Sequence, residues 1–204
     1  MEHIPWLTVL SAYLLGSVSP GWFLVRLKTG GDVRVQGSGA TGATNVGRML
    51  GGAGFALVLA LDVLKGGLAA ALPWLLGQGG IGSGNNLAPG AACVLAVVAG
   101  HVWPVFLRFR GGKGAGCFIG AWLMLAPLSL AAPFAAGLIL WKLLRKGMMI
   151  GALCGMVTQL PLLWLLSRDR NVLLFASLTS ALVLFAHRLN FQKAFGQPVV
   201  QKHP

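Results

Sequence analysis

Apolar runs of membrane length divide this chain, and they constrain its fold more than any other feature. An α-helix needs about 20 apolar residues to cross the hydrocarbon core of a bilayer. Only 10% of the 204 residues are charged, whereas soluble domains carry about 25%. We therefore predict an all-α, polytopic membrane protein in which residues 1–204 form a single domain with about seven transmembrane helices.

The predicted helices alternate with polar segments. They cover residues 4–26, 51–76, 89–107, 147–166 and 172–187, and two short helices flank Pro127 between residues 115 and 141. Basic residues border this last stretch on both sides, so a re-entrant hairpin is the alternative to two short spans. The segments 27–50 and 108–114 are predicted as loops on one side of the membrane, and 77–88 as a loop on the other.

The basic residues are distributed asymmetrically over these loops. The net charge of +12 would indicate a nucleic-acid partner in a soluble protein. Here most Arg and Lys residues fall on one side, and the opposite side holds only Arg168 and Arg170. Because basic loops remain in the cytoplasm, we expect the N-terminus outside, the C-terminus inside, and no nucleic-acid partner.

Two glycine-rich loop segments carry the residue types expected of a phosphate site. The first is residues 37–48 and the second is residues 109–114. Glycine lets backbone N–H groups approach an anion closely, Ser, Thr and Asn add neutral donors, and Arg and Lys add charge. Next to a membrane, this combination favours an enzyme of phospholipid metabolism whose active site lies in these cytoplasmic loops.

The glycine spacing of the first segment also matches a dinucleotide-binding fingerprint, which we reject. Gly37, Gly39 and Gly42 have the GxGxxG spacing, and Asp62 lies 20 residues after Gly42. That fingerprint requires a preceding strand and a βαβ unit. Membrane helices flank the segment instead, so no nucleotide cofactor is expected.

Ionisable residues next to or within the apolar runs are further candidates. Asp62 and Lys65 share a helix face, where they form either a structural ion pair or a support for the phosphate-binding loop. His101 precedes the second loop and is either structural or functional. His187 and Asn190 either cap the last helix or bind a hydroxyl-bearing substrate. No spacing of His, Cys or carboxylates indicates a metal site.

Four motifs together resemble the bacterial membrane-integral acyl-phosphate:glycerol-3-phosphate acyltransferase family. Residues 37–48 match its GSGNxGATNxxR motif except at Ala40, and residues 62–66 match its DxxKG element. Residues 100–114 match GHxxPxFxxFxGGKG, and residues 187–190 match HxxN. The order and spacing of the motifs agree with the family over nearly the whole chain.

This resemblance implies a fold, a location and a reaction. The fold is a seven-helix monomer in the bacterial cytoplasmic (inner) membrane, with its active site on the cytoplasmic side. The reaction is transfer of a fatty acyl group from acyl phosphate to the 1-hydroxyl of glycerol 3-phosphate, which yields lysophosphatidic acid and phosphate. The implied partners are these two substrates and membrane lipids, and no acyl-CoA, acyl carrier protein or cofactor takes part directly.

The resemblance also implies residue roles. The implied catalytic residues are Ser38, Arg48, Lys113, His187 and Asn190. The implied phosphate-binding residues are Gly37, Gly39, Thr44, Asn45, Gly111, Gly112 and Gly114, with Asp62, Lys65 and His101 in support. A protein nucleophile is not required, because acyl phosphate carries its own leaving group and the protein need only position the substrates and stabilise charge.

Three positions depart from the family pattern. Ala40 replaces an Asn, Met148-Met149 replaces a Ser-containing element, and Gln197-Pro198 replaces a Glu. They leave two alternatives to the family's reaction: a diverged enzyme with another acceptor, or a non-catalytic protein that binds lipid or phosphate. Retention of both phosphate-binding cations argues against the second alternative, because a scaffold does not need both.

Overall fold

The computed structural model describes residues 5–78 and 87–196, and within these ranges it contains helices and no strand. The α-helices are α1 (Trp6–Ser17), α2 (Pro20–Thr29), α3 (Ala43–Leu75), α4 (Ala88–Val102), α5 (Ala115–Leu125), α6 (Ala131–Leu144), α7 (Met148–Gly155), α8 (Gln159–Ser167), α9 (Arg170–Ala186) and α10 (Arg188–Ala194). Short 3-10 turns lie at Val33–Val35, Val105–Leu107, Pro127–Leu130 and Met156–Thr158. The predicted all-α class is confirmed.

Several helical segments of the described chain are long and apolar enough to cross a membrane. They are Trp6–Thr29, Ala43–Leu75, Ala88–Leu107, Pro127–Leu144 and Met149–Ser167. One more arises if α9 and α10, which meet at a bend of 54°, form one span. The apolar helix α5 has only 11 residues. Two helices on either side of Pro127 are thus confirmed, whereas seven spans stay a prediction.

The first predicted helix is broken in its middle, so its prediction as one continuous element was wrong. Val18 and Ser19 have extended backbone angles between α1 and α2. Pro20 has no N–H to donate into α1, and the Ser19 side chain accepts from the backbone N–H of Trp22 to cap α2. The break frees carbonyl groups at the end of α1, and these accept hydrogen bonds from Lys65.

A short helix precedes the predicted second helix. Residues 43–50, predicted as loop, are helical. Gly51 has φ 73° and ψ −170°, a non-helical conformation that favours glycine, so α3 consists of two helices that meet at a kink. The second of them runs to Leu75 and agrees with the predicted helix 51–76, whereas the first was missed. As a result, the polar end of the first glycine-rich segment forms the first turns of α3.

Close helix packing brings the site-bearing helices together. A Cβ atom on Gly16 or Gly100 would overlap backbone atoms across the α1–α4 contact, and one on Gly66 or Gly120 would do so across the α3–α5 contact. Small residues let helix backbones approach in this way in membranes. α4 is buried along most of its length between these partners, and this arrangement places His101 beside α3.

Candidate active site

A cavity of about 680 Å³ lies where the two glycine-rich loops meet α7 and α10. Among the residues singled out from the sequence, its lining includes Gly37, Ser38, Thr44, Asn45, Arg48, Asp62, His101, Lys113, Gly114, His187 and Asn190. Gly39, Lys65, Gly111 and Gly112 are not part of the lining. Segments that are distant in the sequence therefore converge on one space.

The first glycine-rich loop is held from inside by Asn45, which is 1% exposed. Its side-chain oxygen accepts from the Ser38 N–H at 3.1 Å. Its side-chain nitrogen donates to the carbonyls of Val33 and Gln36 at 3.0 and 2.9 Å. The structure therefore gives Asn45 a positioning role, and direct binding of phosphate by this residue stays a prediction.

The N-terminus of α3 faces the cavity. The cap residue Gly42 has no side chain, and the first-turn N–H groups of any helix lack intrahelical partners and carry partial positive charge. The exposed side chains of Ser38, Thr44 and Arg48 line the same part of the cavity. Backbone donors, hydroxyl groups and a guanidinium thus converge in the arrangement that binds phosphate at helix N-termini.

The second glycine-rich loop folds back on the end of α4. Gly112 N–H donates to the His101 carbonyl at 2.9 Å, and Gly111 N–H donates to the Val102 carbonyl at 3.2 Å. A Cβ on either glycine would overlap His101. The two loops are joined by the Thr41 N–H, which donates to the Gly111 carbonyl at 3.3 Å. These glycines shape the loop, and phosphate binding by them stays a prediction.

Lys113 connects this loop to α10. Its Nζ donates to Asn190 Oδ1 at 2.5 Å, and Asn190 Nδ2 donates to Met149 Sδ at 3.2 Å. Burial, together with the nearby charges of Arg48 and Lys193, lowers the pKa of Lys113 to about 8. Lys113 is therefore held in a cationic surrounding that a bound anion would relieve.

His187 presents an acceptor to the cavity. Its Nδ1 lies 2.8 Å from the Val183 carbonyl, which can only accept, so Nδ1 carries the proton. Nε2 of the neutral ring then holds a lone pair that can accept from a hydroxyl group. The side chain is buried and lines the cavity. Capping and substrate binding are thus compatible for this residue, because the two ring nitrogens serve different partners.

Asp62, Lys65 and His101 form a buried cluster beneath the loops. Lys65 Nζ lies 3.0 Å from Asp62 Oδ1 and 3.0 Å from His101 Nδ1. Cys117 is close enough for the side chains of Asp62, His101 and Cys117 to resemble a metal-binding group. The ammonium group of Lys65, however, already supplies the positive charge between Asp62 and His101. The structural ion pair expected from the sequence is present, and it also supports His101 under the second loop.

The cavity residues that the sequence did not predict as part of the site include Lys146, Met149 and Lys193. The two lysines were counted only as charges of a cytoplasmic side, and Met149 only as a lost Ser. Lys193 lies three residues after Asn190, so the helical spacing that paired His187 with Asn190 could have found it. Of the other departures, Ala40 lines the cavity, whereas Gln197 and Pro198 lie outside the described residues.

The fold and the cavity together define a polytopic helical membrane protein with a cavity lined by basic residues and two glycine-rich loops. Comparison with known proteins gives the family. The family model described as glycerol-3-phosphate acyltransferase matches residues 6–197. The chain therefore belongs to the glycerol-3-phosphate acyltransferase family, and the resemblance seen in its motifs is confirmed.

Individual relatives agree with this assignment. The chain is 39% identical over 186 residues to glycerol-3-phosphate acyltransferase 1 of Desulfitobacterium hafniense strain Y51, covering 91% of this chain and 88% of the relative. It is 38% identical over 190 residues to the glycerol-3-phosphate acyltransferase of Bacillus velezensis, covering 92% of both chains.

Solved structures extend the similarity to the fold. The crystal structure of PlsY, an integral membrane glycerol 3-phosphate acyltransferase, in its glycerol 3-phosphate form has a TM-score of 0.80 and 31% identity, covering 95% of this chain and 94% of that one. The lysophosphatidic acid form of PlsY has a TM-score of 0.78. This chain is accordingly an integral membrane protein.

Proposed function

We propose that this chain transfers a fatty acyl group from acyl phosphate to the 1-hydroxyl of glycerol 3-phosphate, giving lysophosphatidic acid and phosphate. Membership of the family supports the reaction class. The single observation that carries the proposal is the convergence of Ser38, Arg48, Lys113, His187 and Asn190 on one cavity. These residues come from both glycine-rich loops and from the end of the chain.

The charges of the cavity suit two phosphate-bearing substrates. A phosphate monoester carries about −1.5 to −2 charges at neutral pH, so the two substrates repel each other in solution. Arg48, Lys113, Lys146 and Lys193 all line the cavity. The described carboxylates Asp32 and Asp62 pair with Arg34 and Lys65, and Asp169 caps α9. The cavity cations therefore remain available to neutralise the substrates.

The chemistry needs positioning more than a protein nucleophile. The acceptor hydroxyl oxygen attacks the carbonyl carbon of acyl phosphate, the bond from that carbon to the phosphate oxygen breaks, and phosphate leaves with the electron pair and the hydroxyl proton. His187 Nε2 accepts a hydrogen bond from the hydroxyl and orients it. Lys113, fixed by Asn190, and Arg48 offset the charge that develops on the departing phosphate.

The proposed orientation in the membrane places the active site on the cytoplasmic side. The enzyme works as a monomer in the bacterial inner membrane, with its C-terminus and cavity on the cytoplasmic side, where water-soluble glycerol 3-phosphate is available. The distribution of Arg and Lys supports this orientation. The position of both glycine-rich loops and α10 around the same cavity supports one active face.

The test is release of inorganic phosphate from palmitoyl phosphate by the detergent-purified protein, with and without glycerol 3-phosphate. We expect release that depends on glycerol 3-phosphate, and a loss of at least about 100-fold in kcat for Lys113→Ala, as for removal of other groups that stabilise developing charge. Lys142→Ala, an exposed lysine outside the cavity lining, is the matched control. Absence of glycerol-3-phosphate-dependent release from the unaltered protein would contradict the proposal.

A second candidate is the same transfer to a different acceptor. Ala40 and Met149 line the cavity at positions where the family pattern has polar residues, and Met149 contacts Asn190 directly. Consumption of acyl phosphate that is stimulated by another hydroxyl compound, and not by glycerol 3-phosphate, would favour this candidate. Higher activity toward glycerol 3-phosphate in an Ala40→Asn variant would favour the first.

A further inference from the structure

The contacts of Lys65 and Asp62 with His101 indicate which ring nitrogen carries a proton. A lysine ammonium has three N–H donors and no acceptor. Lys65 Nζ donates to the carbonyls of Gly16 and Val18 at 3.1 and 2.7 Å, and it lies 3.0 Å from His101 Nδ1. Asp62 Oδ1 is an ion-pair neighbour at 3.0 Å without an aligned hydrogen bond. The third Lys65 proton therefore points to His101 Nδ1, which accepts it in this geometry, and Asp62 Oδ1 lies farther from Nδ1, at 3.4 Å.

The opposite nitrogen of His101 then becomes a donor. A neutral imidazole has one N–H, and with Nδ1 accepting, the proton is on Nε2. Nε2 lies against Gly112, where a Cβ atom would overlap it, and an added Cβ on Gly42 would stand 4.0 Å away. Gly42 is the cap of α3. The Nε2–H thus lies between the two glycine-rich loops, next to the N-terminus of α3.

This donor faces the cavity and lacks a protein acceptor. His101 is 5% exposed and lines the cavity. Within residues 5–78 and 87–196, the hydrogen bonds of its ring involve Nδ1 and not Nε2. Because Nε2 is open to the cavity, an acceptor that arrives with a ligand can reach it. The N-terminus of α3 attracts an anion to the same place.

We propose that His101 Nε2–H donates a hydrogen bond to a phosphate oxygen of the bound substrate, and that Lys65 and Asp62 are the positioning residues for this contact. His101 is then a catalytic residue that touches substrate, not only a support of the loop. The identity of the phosphate rests on the proposed function. The contact itself requires only a phosphate group between the two loops.

Two substitutions test the roles of the two ring nitrogens of His101 separately. His101→Gln places an amide N–H near the position of Nε2 and removes the acceptor for Lys65. His101→Asn places an amide oxygen near the position of Nδ1 and removes the donor to the cavity. We expect kcat/KM of the Asn variant to fall roughly 10- to 100-fold below that of the Gln variant, the effect of one hydrogen bond to a charged group. Equal activities, or a more active Asn variant, would overturn the proposal.

A measurement on the unaltered protein tests the proposal without requiring that a variant fold. In detergent, ¹⁵N-histidine NMR should show His101 protonated at Nε2, and addition of inorganic phosphate should shift that nitrogen. A ring protonated at Nδ1, or an Nε2 signal that phosphate leaves unchanged, would overturn the proposal. A shifted signal in a protein that shows no acyl transfer would refute the proposed function and leave this contact standing.

Discussion

The two walls of the cavity are built differently. The loop wall, formed by residues 37–48 and 109–114, is held by buried side chains beneath it: Asn45 bonds three backbone groups, and Lys65 supports His101. The helix wall, formed by α7 and α10, meets the loop wall through Lys113 and Asn190, which themselves line the cavity. The loop wall is therefore preorganised without substrate, whereas the helix wall depends on groups that substrate would also contact.

Because of this difference, substitutions in one wall should mainly affect stability and substitutions in the other should mainly affect function. Substitutions beneath the loop wall should lower the free energy of unfolding, because they leave buried polar groups without partners. Substitutions in the helix wall should leave the fold intact and alter charge and binding, since Lys146 and Lys193 are exposed and have no carboxylate partner among the described residues.

The largest expected effect is that of Lys65→Met. It leaves Asp62 as an unpaired buried charge and removes the donors to the Gly16 and Val18 carbonyls. We expect the free energy of unfolding in detergent to fall by about 3–5 kcal/mol, as for other broken buried ion pairs. Lys142→Met, at an exposed position of α6, should change the free energy of unfolding by less than about 0.5 kcal/mol. Equal unfolding midpoints for the two variants would contradict a preorganised loop wall.

A smaller loss of stability is expected for Asn45→Ala. The Val33 and Gln36 carbonyls lose their donor, and the Ser38 N–H loses its acceptor. Denaturant unfolding should show a loss of about 1–3 kcal/mol. The neighbouring, exposed Thr44→Ala is the control and should change stability by less than about 0.5 kcal/mol. If both variants were equally stable, Asn45 would not be the residue that holds the loop.

The rate of acyl transfer should depend on the protonation state of Lys113. With its pKa lowered to about 8, Lys113 is a cation below pH 8 and becomes neutral above it, so acyl transfer should decline as pH rises through 8. Lys113→Arg keeps its charge and should remove this decline, whatever its absolute rate. If the Arg variant lost activity over the same alkaline pH range, the decline would be caused by a titrating group other than Lys113.

The same pKa shift affects stability in the opposite direction. Between about pH 8 and the ordinary lysine pKa of 10.5, the unfolded chain binds a proton at Lys113 that the folded chain does not bind. The contribution of Lys113 to the free energy of unfolding therefore rises with pH in this window. Activity and stability should diverge above pH 8, and the activity of a folded protein can thus be lost by deprotonation alone.

The smallest expected effect is that of Lys193→Ala. Removing this charge relieves repulsion at Lys113, so the pKa of Lys113 should rise and the alkaline limb of the activity profile should move to higher pH. Because the side chain is exposed, we expect KM for a phosphate-bearing substrate to increase only about two- to fivefold. Lys142→Ala should change neither quantity. A limb that moves to lower pH would show that Lys193 acts through another residue.

Much of the site could be predicted from the sequence because its motifs are local. The glycine spacing, Lys113 and the pair His187 and Asn190 are visible in short segments, and the structure brings these residues to one cavity. The direction of the Asn45 side chain could not be predicted, because it depends on carbonyl groups of a turn nine and twelve residues away. The short helix over residues 43–50 was also hidden, since a polar segment rich in glycine usually indicates a loop.

The sequence by itself determined the class of protein and the motif residues. Its apolar runs require helices in a membrane, because backbone polar groups in hydrocarbon must be satisfied within the segment. Tertiary structure alone decided which side chains face the cavity and which groups contact the ring nitrogens of His101 and His187. Those properties depend on partners such as Lys65 and the Val183 carbonyl, and a partner's position is set by packing between helices rather than by spacing along the chain.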